Sequence, residues 1–80
     1  MTTPYSIKIA PLARRQILAL ANKQQKIIIK LLDALAINPR PPGAQKIAGM
    51  TGLYSETVHH LRLIYKIEDQ VLLLLLVKSI

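Results

Sequence analysis

Arg62 and Lys66 lie in the first of two apolar runs near the end of the sequence, Lys78 directly follows the second, and the tandem His59-His60 stands just before the first run. Arg40 and Lys46 fall in a segment that holds most of the proline and glycine. A guanidinium grips two oxygens of a phosphate or carboxylate at once, and an ammonium is a compact point charge, so this set suits an anionic ligand. Imidazole takes and gives protons near neutral pH, which makes His59 and His60 candidates for proton transfer. Two solvated side chains in an exposed turn are the plain alternative. Other chemistries lack their residues. Without cysteine there is no thiol nucleophile and no thiolate metal site. Adjacent histidines point apart in a strand, and no nearby Asp or Cys completes a ligand set, so no metal and no cofactor is expected. Neither a glycine-rich phosphate loop nor a nucleophile triad is present.

The charge total points the same way. Eleven Lys and Arg stand against four Asp and Glu, a net charge of +7. A field of that sign steers a protein towards polyanions: nucleic acid, acidic protein segments or anionic lipid. At 80 residues the sequence amounts to one small domain with a thin core, and a hydrophobic fraction of 51% excludes general disorder. Lys8, Arg14 and Arg15 interrupt any apolar leader, so a cytoplasmic protein with no membrane partner is expected.

The elements that must position these residues follow from periodicity. Residues 61–67 alternate, with Leu61, Leu63, Tyr65 and Ile67 on one face and Arg62, Ile64 and Lys66 on the other, which is the pleat of a strand. Residues 71–77 are apolar throughout, as expected of a strand covered on both sides, with a buried helix as the alternative that the pattern leaves open, and too short to span a bilayer. An acidic turn, Glu68-Asp69-Gln70, joins the two into a central hairpin. Upstream, Tyr5, Ile7 and Ile9 alternate with Ser6 and Lys8 as a short strand. Pro11 opens a helix after Ala10, a poor cap, and its stripe is Ala13, Ile17, Leu20 and Ala21, with Arg14, Arg15 and Gln16 on the other side. Asn22 breaks and caps into a second helix with the stripe Ile28, Leu31, Leu32 and Leu35, widened by Ile27 and Ala34. Asn38-Pro39 ends it, with Asn suited to a left-handed end position. Two helices so tightly joined are expected as an antiparallel hairpin forming one layer. Residues 40–51 read as a long connection with at most a turn of helix, residues 53–58 as a strand, and His59-His60 as the turn into the central hairpin. The expected order is β-α-α-β-β-β, an α+β domain over 1–80: a small antiparallel-rich sheet with the two helices on one face.

Residues 38–54 (NPRPPGAQKIAGMTGLY) and 61–78 (LRLIYKIEDQVLLLLLVK), with the opening strand and Pro11, resemble the RelE/ParE superfamily of bacterial type II toxins. The resemblance runs over essentially the whole sequence and is RelE-like. It implies a two-helix layer on one sheet face and a basic, concave surface on the other. RelE-type members are mRNA endonucleases (mRNA interferases) acting in the ribosomal A site; ParE-type members inhibit DNA gyrase. Both are neutralised by a cognate antitoxin protein that wraps around the toxin.

For a RelE-like member the implied chemistry is metal-free RNA cleavage. The 2′-hydroxyl attacks the adjacent phosphate, which calls for a base, cations for the pentacovalent phosphorus and an acid for the leaving oxygen. Arg62 matches the family's strand arginine facing the scissile phosphate; the family's usual general acid or base has no match, and His60 is the candidate proton carrier from its imidazole chemistry alone. Arg40, Lys46, Lys66 and Lys78 are expected to assist RNA binding. The sequence also departs from the family. Ser55, Thr57 and Ala48 stand where basic residues are usual, and Glu56 occupies a core-facing position that is usually apolar. The sequence ends at Ile80, where active members continue with a Gly-His-Arg-like turn and a terminal Tyr or His. The expectation is a translation-inhibiting endoribonuclease of weakened activity. The alternative is a non-enzymatic gyrase inhibitor or an inactive antitoxin-binding relic.

Overall fold

The computed structural model describes residues 4–40, 44–47, 49 and 51–80. The elements run β1 (Ser6–Ile9), α1 (Pro11–Leu18), α2 (Asn22–Ile37), β2 (Gln45–Lys46), β3 (Leu53–Val58), β4 (Leu61–Glu68) and β5 (Val71–Ser79). The strands form one sheet in the order β1-β5-β4-β3-β2, with β1 parallel to β5 and the other pairs antiparallel. Between the two parallel partners the chain runs through both helices and then β2, β3 and β4.

Both helices cover the same sheet face. Leu61, Leu63, Tyr65 and Ile67 of β4 and Leu72, Leu74 and Val77 of β5 are buried there with Ala13 of α1 and Ile28, Leu32 and Leu35 of α2. Alternation along β4 is therefore as expected. On β5 the expectation of cover on both sides is only half met: Val71, Leu73, Leu75 and Leu76 are half-buried, because nothing among the described residues lies over the other face.

Several boundaries differ from the sequence reading. Helix α1 stops at Leu18, and Ala21, placed in its apolar stripe, is exposed and serves as the N-cap of α2, with no side-chain cap bond. Asn22 is thus the first helical residue instead of the cap. Ala34 is exposed as well. Gln16, assigned to the solvent side, turns inward, and its Oε1 accepts the Val77 backbone N–H at 2.7 Å. Asn38 is extended (φ −135, ψ 93) and not left-handed, as the steric demand of Pro39 on the preceding residue requires. Its Oδ1 accepts the Arg40 N–H instead. The connection before β3 contains β2, a two-residue strand paired with Ser55 and Tyr54 that carries too little pattern to be legible in sequence. Pro41, Pro42, Gly43 and Ala48 of that connection lie outside the described residues.

The turns are built from left-handed backbone. His59 (φ 46) and His60 (φ 66) form the two-residue link between β3 and β4, and Asp69 (φ 54) lies in the link between β4 and β5. At Gly52 (φ 76) the glycine is obligatory: a Cβ would stand 2.9 Å from the Ile67 carbonyl oxygen, while the Ile67 N–H donates to Gly52 O at 2.9 Å.

Candidate functional site

The helix-free face of the sheet presents three rows of side chains, fixed by strand register. The first row is Thr57, Arg62 and Lys78, direct cross-strand partners on β3, β4 and β5. The second is Ser55, Ile64 and Leu76. The third is Leu53, Lys66, Leu73 and Lys8, which extends to β1. Strand alternation alone would turn Lys78 away from this face, since Leu72 and Leu74 point to the core. A bulge intervenes. Tyr65 pairs with Leu74 and Ile64 with Leu76, so Leu75 has no partner and the phase of β5 reverses. Val77 then faces the core, and Lys78 stands beside Arg62, about 5 Å away across the ladder.

Arg62 and Lys78 are both exposed. Two cations on neighbouring strands with open space before them can bind one phosphate from two directions. His60 precedes Arg62 by two residues, and its carbonyl accepts the Ile80 N–H at 2.8 Å, which closes the end of β5 onto the turn. His59 is on the other side of the turn, lining a shallow cleft of about 380 Å³ with Val58 and with Ile27, Lys30 and Leu31 of α2.

Arg40 and Lys46 are placed elsewhere. Lys46 pairs with Tyr54, which pairs with the buried Tyr65, so both lie on the helix side of the sheet. Arg40 donates from Nε to the Tyr54 hydroxyl at 3.0 Å, and its guanidinium carbon lies 5.5 Å from the Tyr54 ring centroid. Tyr54 in turn stacks on Tyr65, with centroids 6.0 Å apart. Donation to the Tyr54 hydroxyl first, with Tyr5 adding to it, holds the proton on Arg40 more firmly. Of the cations singled out from sequence, then, the structure gathers Arg62, Lys66 and Lys78 on one face and sends Arg40 and Lys46 to the other. Lys8 was missed as a member of that face. Its alternation with Tyr5 and Ile7 was visible, but the parallel pairing that sets it beside Leu73 was not.

On the helix side, the Tyr65 hydroxyl donates to the Pro39 carbonyl at 2.9 Å. Burial, reinforced by the Glu56 carboxylate and by Tyr54, pushes the Tyr65 phenol up to about 12. Glu56 faces the core opposite Leu63, as expected, and its Oε2 is buried with no hydrogen-bond partner among the described residues. Burial raises its pKa above the ordinary carboxylate value. Among the described residues no three His, Asp or Glu side chains gather as a metal-binding group, and no helix is long and apolar enough to cross a membrane.

No family model matches the sequence, and no curated protein matches it. Solved structures do. A chain of the RelBE2 toxin–antitoxin complex from Mycobacterium tuberculosis superposes with a TM-score of 0.84 at 21% identity, covering 96% of this chain and 99% of that one. The isolated RelE toxin of E. coli gives 0.83 at 22% identity, over 94% of this chain and 83% of that one. The YoeB dimer from Staphylococcus aureus gives 0.78 at 25% identity, over 96% and 98%. With two helices on one face of a mixed five-stranded sheet that overlaps these structures along nearly its whole length, the chain has the fold of the RelE toxins.

Proposed function

We propose that the chain is a toxin of the RelE type that cleaves mRNA on the ribosome, in the cytoplasm, and is held inactive by a cognate antitoxin. The observation that carries this reading is the Arg62–Lys78 pair, set side by side on the sheet face opposite the helices. In the reaction the 2′-oxygen forms a bond to the adjacent phosphorus and the bond from phosphorus to the 5′-oxygen breaks. The upstream fragment keeps a 2′,3′-cyclic phosphate and the downstream fragment a 5′-hydroxyl. Arg62 and Lys78 hold the non-bridging oxygens, whose charge grows as phosphorus becomes pentacovalent. His60 takes the proton released by the 2′-hydroxyl and returns it to the leaving 5′-oxygen. Ser55 and Thr57 occupy the same face without charge, so turnover is slow. The antitoxin lays an amphipathic helix on the exposed apolar side chains of the helices, Leu12, Leu18, Ile29 and Ile37.

Cleavage of mRNA in a cell-free translation reaction, mapped by primer extension, tests the reading. Arg62→Ala is expected to lower the rate by about 10²–10³-fold, the loss typical of one removed transition-state donor. Equal cleavage by wild type and Arg62→Ala would remove Arg62 from the site. The uncharged Ser55 and Thr57 favour a second reading, a non-enzymatic binder: growth arrest with intact mRNA and lost DNA supercoiling would identify gyrase as the target. Absence of arrest altogether would leave an antitoxin-binding relic.

A further inference from the structure

The third row of the open face encloses a concavity that the cleavage site does not use. Lys8 of β1, Lys66 of β4 and Leu73 between them on β5 line it, with Glu68 and Asp69 at the turn and Val71 completing the floor. Its volume is about 310 Å³. That is the lower end of the range for small-ligand clefts, room for a single nucleotide unit and not for a folded segment. The two lysines approach it from opposite sides, two strands or about 10 Å apart at the backbone. Both side chains are long enough to converge on one anion above Leu73. The floor of Leu73 and Val71 is half-buried and apolar, a surface on which a planar base can lie.

We propose that this cradle is a second nucleotide subsite: Lys8 and Lys66 hold a phosphate of the same RNA strand whose scissile phosphate sits at Arg62 and Lys78. This rests on the RNA-cleaving reading above. The two lysines facing each other across Leu73, and the spacing to Arg62, carry it, against the two carboxylates Glu68 and Asp69 on the same lining. Lys66 follows Arg62 by four residues on one strand, about 13 Å at strand rise. A stacked single strand covers that distance in about four nucleotides at 3.4 Å each, and an extended one in fewer. The uncharged second row, Ser55, Ile64 and Leu76, lies between, where bases would cross the sheet. Lys66 is paired with Glu68 at 3.1 Å, with side chains 44% and 69% exposed. An exposed pair of this kind holds weakly, so a phosphate displaces Glu68 at little cost. Asp69 repels a phosphate from the turn side, which leaves the Lys8 side as the route of entry.

The test is binding of a fully 2′-O-methylated RNA octamer, which lacks the attacking hydroxyl, followed by fluorescence anisotropy across a sodium chloride series. Lys8→Gln/Lys66→Gln is compared with wild type, with Arg62→Ala, and with Lys23→Gln/Lys26→Gln. The last pair removes the same charge from α2, on the opposite side of the sheet. Circular dichroism confirms that each variant is folded. The Lys8/Lys66 variant is expected to weaken binding several-fold and to lower the salt slope by about 0.7 for each phosphate no longer neutralised. The α2 variant is expected to match wild type. Equal effects of the two double variants would overturn the subsite, and if Arg62→Ala still weakens binding the cleavage reading stands without it. Binding unaffected by Arg62→Ala and by Lys8→Gln/Lys66→Gln alike would overturn both.

Discussion

Replacing Glu56 with leucine is expected to stabilise the protein at neutral pH. Glu56 projects from β3 into the helix-covered side of the sheet, opposite the fully buried Leu63, with Oε2 buried and without a partner among the described residues. An unsatisfied buried polar atom costs about 1–3 kcal/mol, and the half-buried setting of this residue keeps it near the lower end. Leucine adds back roughly half of the 1.5–3 kcal/mol that full burial of such a side chain contributes. Against this, the net charge rises from +7 to +8, a small added self-repulsion. The balance is a gain of about 1–2 kcal/mol. At about 2.1 cal/mol/K per residue, a chain of 80 residues gains roughly 6 °C in Tm for each kcal/mol. The pH dependence has a definite sign. Because burial raises the carboxyl pKa in the folded state, its stabilising contribution is fully present below the unfolded value of about 4.3 and is lost as pH rises through the raised one. Urea unfolding at pH 7 and pH 4 should therefore show the advantage of leucine shrinking in acid, and Glu56→Gln gaining at pH 7 only. A leucine variant that is less stable at pH 7, or an advantage independent of pH, would mean that the carboxylate is satisfied and the reasoning fails.

Further predictions concern the turns and the tyrosine pair. His59→Asn/His60→Gly places residues that favour positive φ at 46° and 66°, and is expected to gain about 1 kcal/mol in urea unfolding while abolishing any contribution of His60 to cleavage. Gly52→Ala sets a Cβ 2.9 Å from the Ile67 carbonyl oxygen at a φ of 76°, and should cost about 1–3 kcal/mol, read as a fall in the urea midpoint. Tyr65→Phe removes the donor to the buried Pro39 carbonyl and should cost about 1–2 kcal/mol. In wild type, ultraviolet titration should show one phenol ionising only at about pH 12, with the stability it confers lost as pH climbs from its ordinary value to that one.

The strand pattern of β4 was legible because one of its faces is buried and the other is not, and a period of two records that asymmetry in Leu61, Leu63, Tyr65 and Ile67. The helix stripes were legible for the same reason. Ala21 and Ala34 were misplaced because alanine costs little on either side of a helix and so carries no directional signal. Strand β2 was not legible at two residues. The site was half legible: Arg62 and Lys66 could be assigned to one face of one strand. That Arg40 would bond to Tyr54 depends on an approach between residues 14 apart, and that Lys8 would join the open face depends on pairing between β1 and β5. Neither relation leaves a local pattern.

The least legible feature is the one on which the pairing of cations depends. Leu72, Leu73, Leu74, Leu75 and Leu76 are identical in side chain, so hydropathy cannot say which of them leaves the ladder. The backbone decides. Skipping Leu75 frees the Val77 N–H for the Gln16 side chain on α1, and the 2.7 Å bond satisfies a donor that would otherwise be buried without a partner. Without the bulge, Leu76 and Lys78 would follow Leu72 and Leu74 to the helix side. An ammonium would then sit against the core, where its desolvation is costly, and Val77 would be left on the open face. Burial of Val77, solvation of Lys78 and the bond to Gln16 all favour the same register. One extra residue in an all-leucine run therefore brings Lys78 to Arg62, and α1, which lies on the far side of the sheet from both cations, helps to hold it there.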